Sequence, residues 1–312
     1  MRILIYVFVI LMLSVNFMKN IANAEDGPEQ RRERLRAFLK NRRSRTKMLS
    51  VSSQISKKLD VPYSRDSDPL KRMDIYLPER KGSKFPVLIH FHGGGWKMGD
   101  KRQTNEHGLF YATQGILFVS VNYRLSPSVL HPAHVEDCAA AVAWVFENLH
   151  DFWGDANRVF ISGHSAGAHL AALLATDPTY MQRYELHPKR FAGVIPVDTA
   201  SFDLISRRNE RLMGRMIKQA FGVDPKILKS ASPLYNISKE NVYPEFLIPV
   251  SGNRESAVVQ TKRLVDSLKS VGGEAEFLVV DNHSHREMNL GMHDADDPVG
   301  NAILKFILEK DF

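Results

Sequence analysis

RVFISGHSAGAHLAALLA, residues 158–175, is the stretch on which the reading of this chain turns. Its first five residues, Arg158 to Ser162, form a short apolar run of the kind that makes a buried strand. Residues 166–175 are rich in Ala and Leu and predict a helix. Between them stands Gly163-His164-Ser165-Ala166-Gly167, a G-x-S-x-G pentapeptide in the strand–turn–helix setting that a nucleophile elbow requires. The glycines permit the tight, strained turn that lifts the Ser165 hydroxyl above a sheet. The helix N-terminus beneath it favours developing negative charge.

A second motif lies upstream. His92-Gly93-Gly94-Gly95-Trp96 follows directly on Phe85–Phe91 (FPVLIHF), another almost fully apolar run. Glycines in such a loop turn backbone N–H groups toward a ligand without a clashing Cβ. The expected oxyanion donors are the N–H groups of Gly94, joined by Gly93 or Gly95, and of Ala166. Further apolar runs at 116–121, 191–197, 246–250 and 276–280 predict buried strands, and the alternating Lys71–Leu77 predicts an edge strand. Residues 133–149, 257–271 and 299–309 carry apolar positions at helical spacing. Strand–helix alternation over this length argues for an α/β fold with a mostly parallel, twisted sheet and helices on both faces. Residues 201–233 interrupt the alternation with a helix over roughly 209–221. They predict a small cap insertion over the carboxyl edge of the sheet.

On these residues the chain resembles the α/β-hydrolase esterases of the hormone-sensitive-lipase type. It is most similar to the group of bifunctional feruloyl/acetyl-xylan esterases and kynurenine-formamidase-like enzymes. The resembling segments are HFHGGGWKMGDK (90–101), VSVNYRLSP (119–127), HPAHVEDCAAAVAW (131–144), ISGHSAGAHLAALLATD (161–177) and VIPVDTASFDL (194–204). The resemblance covers residues 65–312. It implies an α/β-hydrolase fold and a catalytic triad in the chain order Ser, acid, His.

Such hydrolases usually place an Asp in the loop after the strand 246–250, before a helix containing a Gln. Here the loop reads Gly252-Asn253-Arg254-Glu255, so Glu255 is the expected triad acid, one methylene longer. The requirement is only a carboxylate on the imidazole Nδ1–H. Asp281, Asp198 and Asp203 are the alternatives, with Asp198 and Asp203 following a different strand. The histidine should follow the last strand. His285-Arg286-Glu287-Met288-Asn289 fits the family's His-x-x-Ile-Asn frame, so His285 is expected to be the base, with His283 the alternative. Trp96 is expected to wall the substrate pocket, with loop packing as the competing role.

Composition bounds the rest. The chain has 312 residues, 44 % hydrophobic and 25 % charged, which suits a globular protein able to bury a sizeable core. Cys138 is its one cysteine, so no intramolecular disulfide and no Cys-rich metal site can form. The net charge of +7 is uneven: residues 1–24 carry +2 and residues 25–60 carry +6, which leaves −1 for 61–312. A near-neutral main domain gives no basic groove for nucleic acid. Arg2, the apolar run Ile3–Val15 and Ala22-Asn23-Ala24 read as a signal peptide over 1–24, hence a secreted or periplasmic protein without an integral membrane segment after cleavage. Residues 25–60 read as a basic extension and 61–312 as the catalytic domain. The pairs His90/His92 and His283/His285 could in principle hold zinc, but the hydrolase motifs already use these residues, and no metal or nucleotide cofactor is expected.

The expected activity is therefore hydrolysis of a carboxylic ester, either a small molecule or acetyl or feruloyl groups on polysaccharide. A formamidase or amidase of the same fold, and a non-catalytic binding protein, are the competing readings.

Overall fold

The computed structural model describes residues 55–79 and 84–309. Residues 1–24, read as a signal peptide, and nearly all of the segment read as a basic extension lie outside the described residues. The elements run β1 (Ser56–Pro62), β2 (Arg72–Leu77), β3 (Phe85–Phe91), α1 (Asn105–Thr113), β4 (Leu117–Val121), α2 (Ala133–Asn148), β5 (Gly154–His164), α3 (Ala166–Thr176), α4 (Thr179–Gln182) and β6 (Gly193–Val197). Then come α5 (Leu204–Arg207), α6 (Met213–Phe221), α7 (Pro225–Ser230), β7 (Phe246–Ser251), α8 (Glu255–Ser270), β8 (Ala275–Val280), α9 (His285–Gly291) and α10 (Pro298–Leu308).

The strands form one sheet of order β1-β2-β4-β3-β5-β6-β7-β8. β2 is antiparallel to both its neighbours, and the strands from β4 to β8 run parallel. Every residue of β3, β4, β6 and β7 is buried, as their unbroken Val/Ile/Leu/Phe runs require of strands covered on both faces. This is the mostly parallel sheet the sequence predicts. The strand order reverses between β3 and β5, where β4 lies to one side and β6 to the other. In a sheet of this class ligands gather at such a switch point, outside the carboxyl ends of the strands. The HGGGW loop leaves β3 there, and the elbow leaves β5 there.

Close packing fixes the elbow. A Cβ on Gly167 would lie 2.0 Å from the Phe91 carbonyl oxygen, and one on Gly163 would lie 2.3 Å from the Gly167 carbonyl carbon. The first turn of α3 is thus pressed onto the carboxyl end of β3. All of α3 is buried, which explains why its Ala/Leu sequence lacks a polar face.

Two elements differ from expectation. β2 is not an edge strand, because β1 pairs with its outer side from Ser56 to Pro62. β1 therefore begins inside the segment assigned to the basic extension. Its sequence, SKKLDVP, is exposed along nearly its whole length, so it carries no burial pattern. Its pairing shifts register between Lys58 and Val61, with Asp60 at φ +57°. What ties β1 down is Lys101, from the segment following HGGGW. Its Nζ lies 2.7 Å from both Asp60 and Asp74, and its side chain is almost wholly buried. The cap insertion is present as α5 to α7. The α6 residue Met216 has its Sδ 2.9 Å from where a Gly95 Cβ would stand, so the cap rests on the HGGGW loop.

Replacing Gly167 with Ala should destabilise the fold by about 3 kcal/mol, because the displaced atoms are backbone and cannot swing away. A urea midpoint that falls while the slope stays constant would show this.

Candidate active site

Ser165 sits between β5 and α3 with φ +58° and ψ −115°, a strained left-handed conformation for a residue with a side chain. Its N–H donates to the carbonyl of Val197, at the end of β6, at 3.0 Å. Beside it, Gly93 approaches so closely that a Cβ there would lie 3.4 Å from Ser165 Cβ and 3.0 Å from the His164 carbonyl oxygen. Gly94 and Gly95 follow with φ +125° and +60°. The structure thus brings Ser165, the glycine loop and Ala166, the first residue of α3, to one place.

His285 arrives from the other side of the site. It is the first residue of α9, which Ser284 caps: Ser284 Oγ accepts from the Glu287 N–H at 3.3 Å, and Glu287 Oε2 accepts from the Ser284 N–H at 2.7 Å. This reciprocal capping fixes where the helix begins. His164 then joins the two halves. Its Nε2–H donates to the His285 carbonyl at 2.9 Å, and the two rings lie 4.3 Å apart. The elbow residue just before the serine is therefore locked to the histidine.

The carboxylate on His285 is Asp198, not Glu255. His285 Nδ1 donates to Asp198 Oδ2 at 2.6 Å. Asp198 is fully buried at the end of β6 with φ +50°. Its N–H donates to the Pro249 carbonyl at 2.9 Å, and its Oδ1 accepts from the Ser251 N–H at 3.1 Å. Arg254 Nη1 donates to the Asp198 carbonyl at 2.9 Å and to Oδ2 at 2.7 Å, and lies 2.9 Å from His285 Nδ1. Burial pushes the Asp198 carboxyl up. The His285 hydrogen bond, the Arg254 charge and the Ser251 N–H outweigh it and hold the group below the ordinary carboxylate range.

Glu255 opens α8 and is exposed, its charge suited to a helix N-terminus. The expectation failed for a topological reason. β6 and β7 are neighbours in the sheet, so the carboxyl ends of both open onto the serine, and the acid can come from either. Asp203 is occupied elsewhere, since it caps α5 and pairs with Arg263 at 2.8 Å. Asp281 is exposed in a turn. His283 lies away from the acid of the site, its Nε2 2.8 Å from Asp297.

Trp96 is corrected too. It is 2 % exposed, and its Nε1–H donates to His169 Nδ1 at 3.2 Å. Its ring meets Phe221 of α6 edge-on at 4.9 Å. Trp96 packs the loop onto the cap, the competing role expected for it. Among the described residues, His164, Asp198 and His285 are the one group whose ligand-type atoms, one from each residue, gather within 4.8 Å. The Arg254 guanidinium already stands on that carboxylate, so the cluster does not suit a cation. Sequence reasoning carried Asp198 only as an alternative acid, and it missed the roles of Arg254 and His164. A signal existed for Asp198, since it directly ends the apolar run at 191–197.

The residues from 73 to 268 match the BD-FAE family model. This chain belongs to that family. Among curated relatives, Esterase LipQ of Mycobacterium tuberculosis is 29 % identical over 80 % of this chain and 61 % of its own length. The chain spans between 45 % and 61 % of the length of the first three relatives it matches. Among solved structures, an inhibited esterase B from Lactobacillus rhamnosis superimposes with a TM-score of 0.70 at 18 % identity, covering 87 % of this chain and 94 % of its own. A truncated carbohydrate esterase from gut microbiota gives 0.68 at 19 %, covering 81 % and 95 %. The fold is that of the α/β-hydrolases.

The histidines around the site make a further point. Burial lowers the pKa of His90, His164 and His169 to about 3, and of His92, His131 and His134 to about 4. In the unfolded chain each titrates near 6.5. The folded state therefore binds fewer protons below that value, and stability is full above it and lost as pH falls from about 6.5 toward 3. Urea midpoints should fall steeply between pH 7 and pH 5. A flat profile over that range would contradict the burial of these rings.

Proposed function

We propose that this protein is an exported serine carboxylic ester hydrolase acting on short acyl esters, with acetyl and feruloyl groups on polysaccharide as the substrate class. One observation carries the reading. His164, next to Ser165 in the elbow, donates to the His285 carbonyl, and the His285 Nδ1 is held by a buried, ionised Asp198. Asp198 fixes the imidazole tautomer that leaves Nε2 free as a base.

Ser165 Oγ attacks the ester carbonyl carbon while its proton passes to His285 Nε2. Asp198 stabilises the resulting imidazolium. The N–H groups of Gly94, Gly95 and Ala166 receive the oxyanion, each donor contributing roughly 3–4 kcal/mol to the barrier reduction. As the C–O bond breaks, the alcohol leaves with the proton from Nε2. Water, deprotonated by the same nitrogen, then attacks the acyl-enzyme and frees Ser165 with the acid product. The relative LipQ is named an esterase, and the fold is shared with a carbohydrate esterase; both support the reaction class. The leader-like residues 1–24 support an extracellular, polymer-linked ester over an intracellular formamide.

Hydrolysis of p-nitrophenyl acetate and of feruloylated arabinoxylan fragments should vanish in Ser165→Ala. Asp198→Asn should lower kcat by about 10³–10⁴. Glu255→Gln should stay within about twofold of wild type, as expected of an exposed residue away from the chemistry. An equal loss in the two carboxylate variants would count against the assignment of Asp198. Protein that is folded but inert toward every ester, and unlabelled by a fluorophosphonate, would refute the hydrolase reading.

A further inference from the structure

His285 shares its carboxylate with a cation. Arg254 Nη1 and His285 Nδ1 both donate to Asp198 Oδ2, at 2.7 and 2.6 Å, and stand 2.9 Å from each other. The serine–histidine–acid scheme needs no such guanidinium. Its side chain is one-quarter exposed, whereas Asp198 is fully buried. The contact is also built into the backbone, because the same Nη1 donates to the Asp198 carbonyl at 2.9 Å. Arg254 immediately precedes α8, in the loop after β7. It approaches from the neighbouring strand, while His285 approaches from α9.

We propose that Arg254 is a positioning residue that clamps Asp198 and, by facing the imidazole with a fixed positive charge, keeps His285 in its neutral, base-competent form at lower pH than Asp198 alone would allow. The physical reason is simple. Asp198 by itself would stabilise a doubly protonated ring. A guanidinium in contact with the same oxygen cancels part of that field and repels the second proton directly.

The other groups facing His285 do not replace this effect. His164, from the end of β5, is uncharged because burial, and then the charge of His285, pull its pKa down to about 3. On α9 itself, Glu287 is engaged in capping Ser284, and Arg286 is exposed. From α1, His107 reaches the Asn289 carbonyl rather than the ring, and burial lowers its pKa well below the ordinary value. His283 is turned toward Asp297.

The pH range of turnover follows from the triad reading above, but the electrostatic role of Arg254 does not need turnover to be tested. The test titrates the full chain by histidine-resolved NMR, with the His285 resonance identified as the one missing from His285→Gln. In Arg254→Gln the His285 midpoint should rise by about one pH unit or more, a tenfold or greater gain in proton affinity. In Arg254→Lys, which keeps the charge, it should move by less than half that shift. The acidic limb of kcat/KM should follow the same displacement.

A midpoint that stays put or falls in Arg254→Gln overturns the inference. So does an equal rise in Arg254→Gln and Arg254→Lys, which would point to lost geometry rather than lost charge. If the wild-type chain turns over no ester while the NMR midpoint rises in Arg254→Gln, the hydrolase reading fails and the inference on Arg254 stands.

Discussion

The contact between the first turn of α3 and the carboxyl end of β3 is the constraint from which the site follows. Gly167 lies against the carbonyls of Phe91 and His92 so closely that no side chain fits between them. That approach forces β5 to turn sharply into α3 and holds Ser165 at φ +58°. It also brings Gly93, which leaves β3, against Ser165. Ser165 and the glycine loop are therefore positioned by one packing event, against a helix with no solvent-facing side. Strain at the serine persists because the surrounding core over-determines it.

Charge is handled differently at the two ends of this arrangement. Lys101, just beyond the glycine loop, is buried and pairs with two carboxylates, the buried Asp74 and the exposed Asp60, and so ties the outer strands to the loop. Asp198, across the switch point, is buried with two cationic or protonatable partners, Arg254 and His285. In both cases a buried ionised group has more than one hydrogen-bonding partner, which is the condition under which such a group tolerates removal from water. Between them lie imidazoles that burial keeps neutral. The site thus holds many titratable rings and few competing charges.

Much of this was legible in the sequence, and the failures share a cause. The strands of the parallel sheet, the elbow, the glycine loop and the choice of His285 over His283 for the position beside the acid were carried by local pattern. The acid was not, because its place depends on which strands are neighbours. Glu255 stands where chain order puts a carboxylate, but Asp198 stands where sheet order does. Trp96 misled because an aromatic after a glycine loop fits a pocket wall and a packing plug equally well until its neighbours, His169 and Phe221, are known. The helix bearing His285 did have a readable start, since Ser284-His285-Arg286-Glu287 is a capping-box pattern.

β1 has a consequence of another kind. An open sheet offers its outermost backbone groups as a template on which a second chain can add a strand. Here that border is short, carries Lys57 and Lys58, and is interrupted by a register shift at which Asp60 takes a left-handed backbone conformation. Adjacent like charges would repel an identical strand laid alongside, and the kink denies it a continuous run of hydrogen bonds. The exposed, patternless sequence that hides β1 from a reader also makes it a poor seed for aggregation.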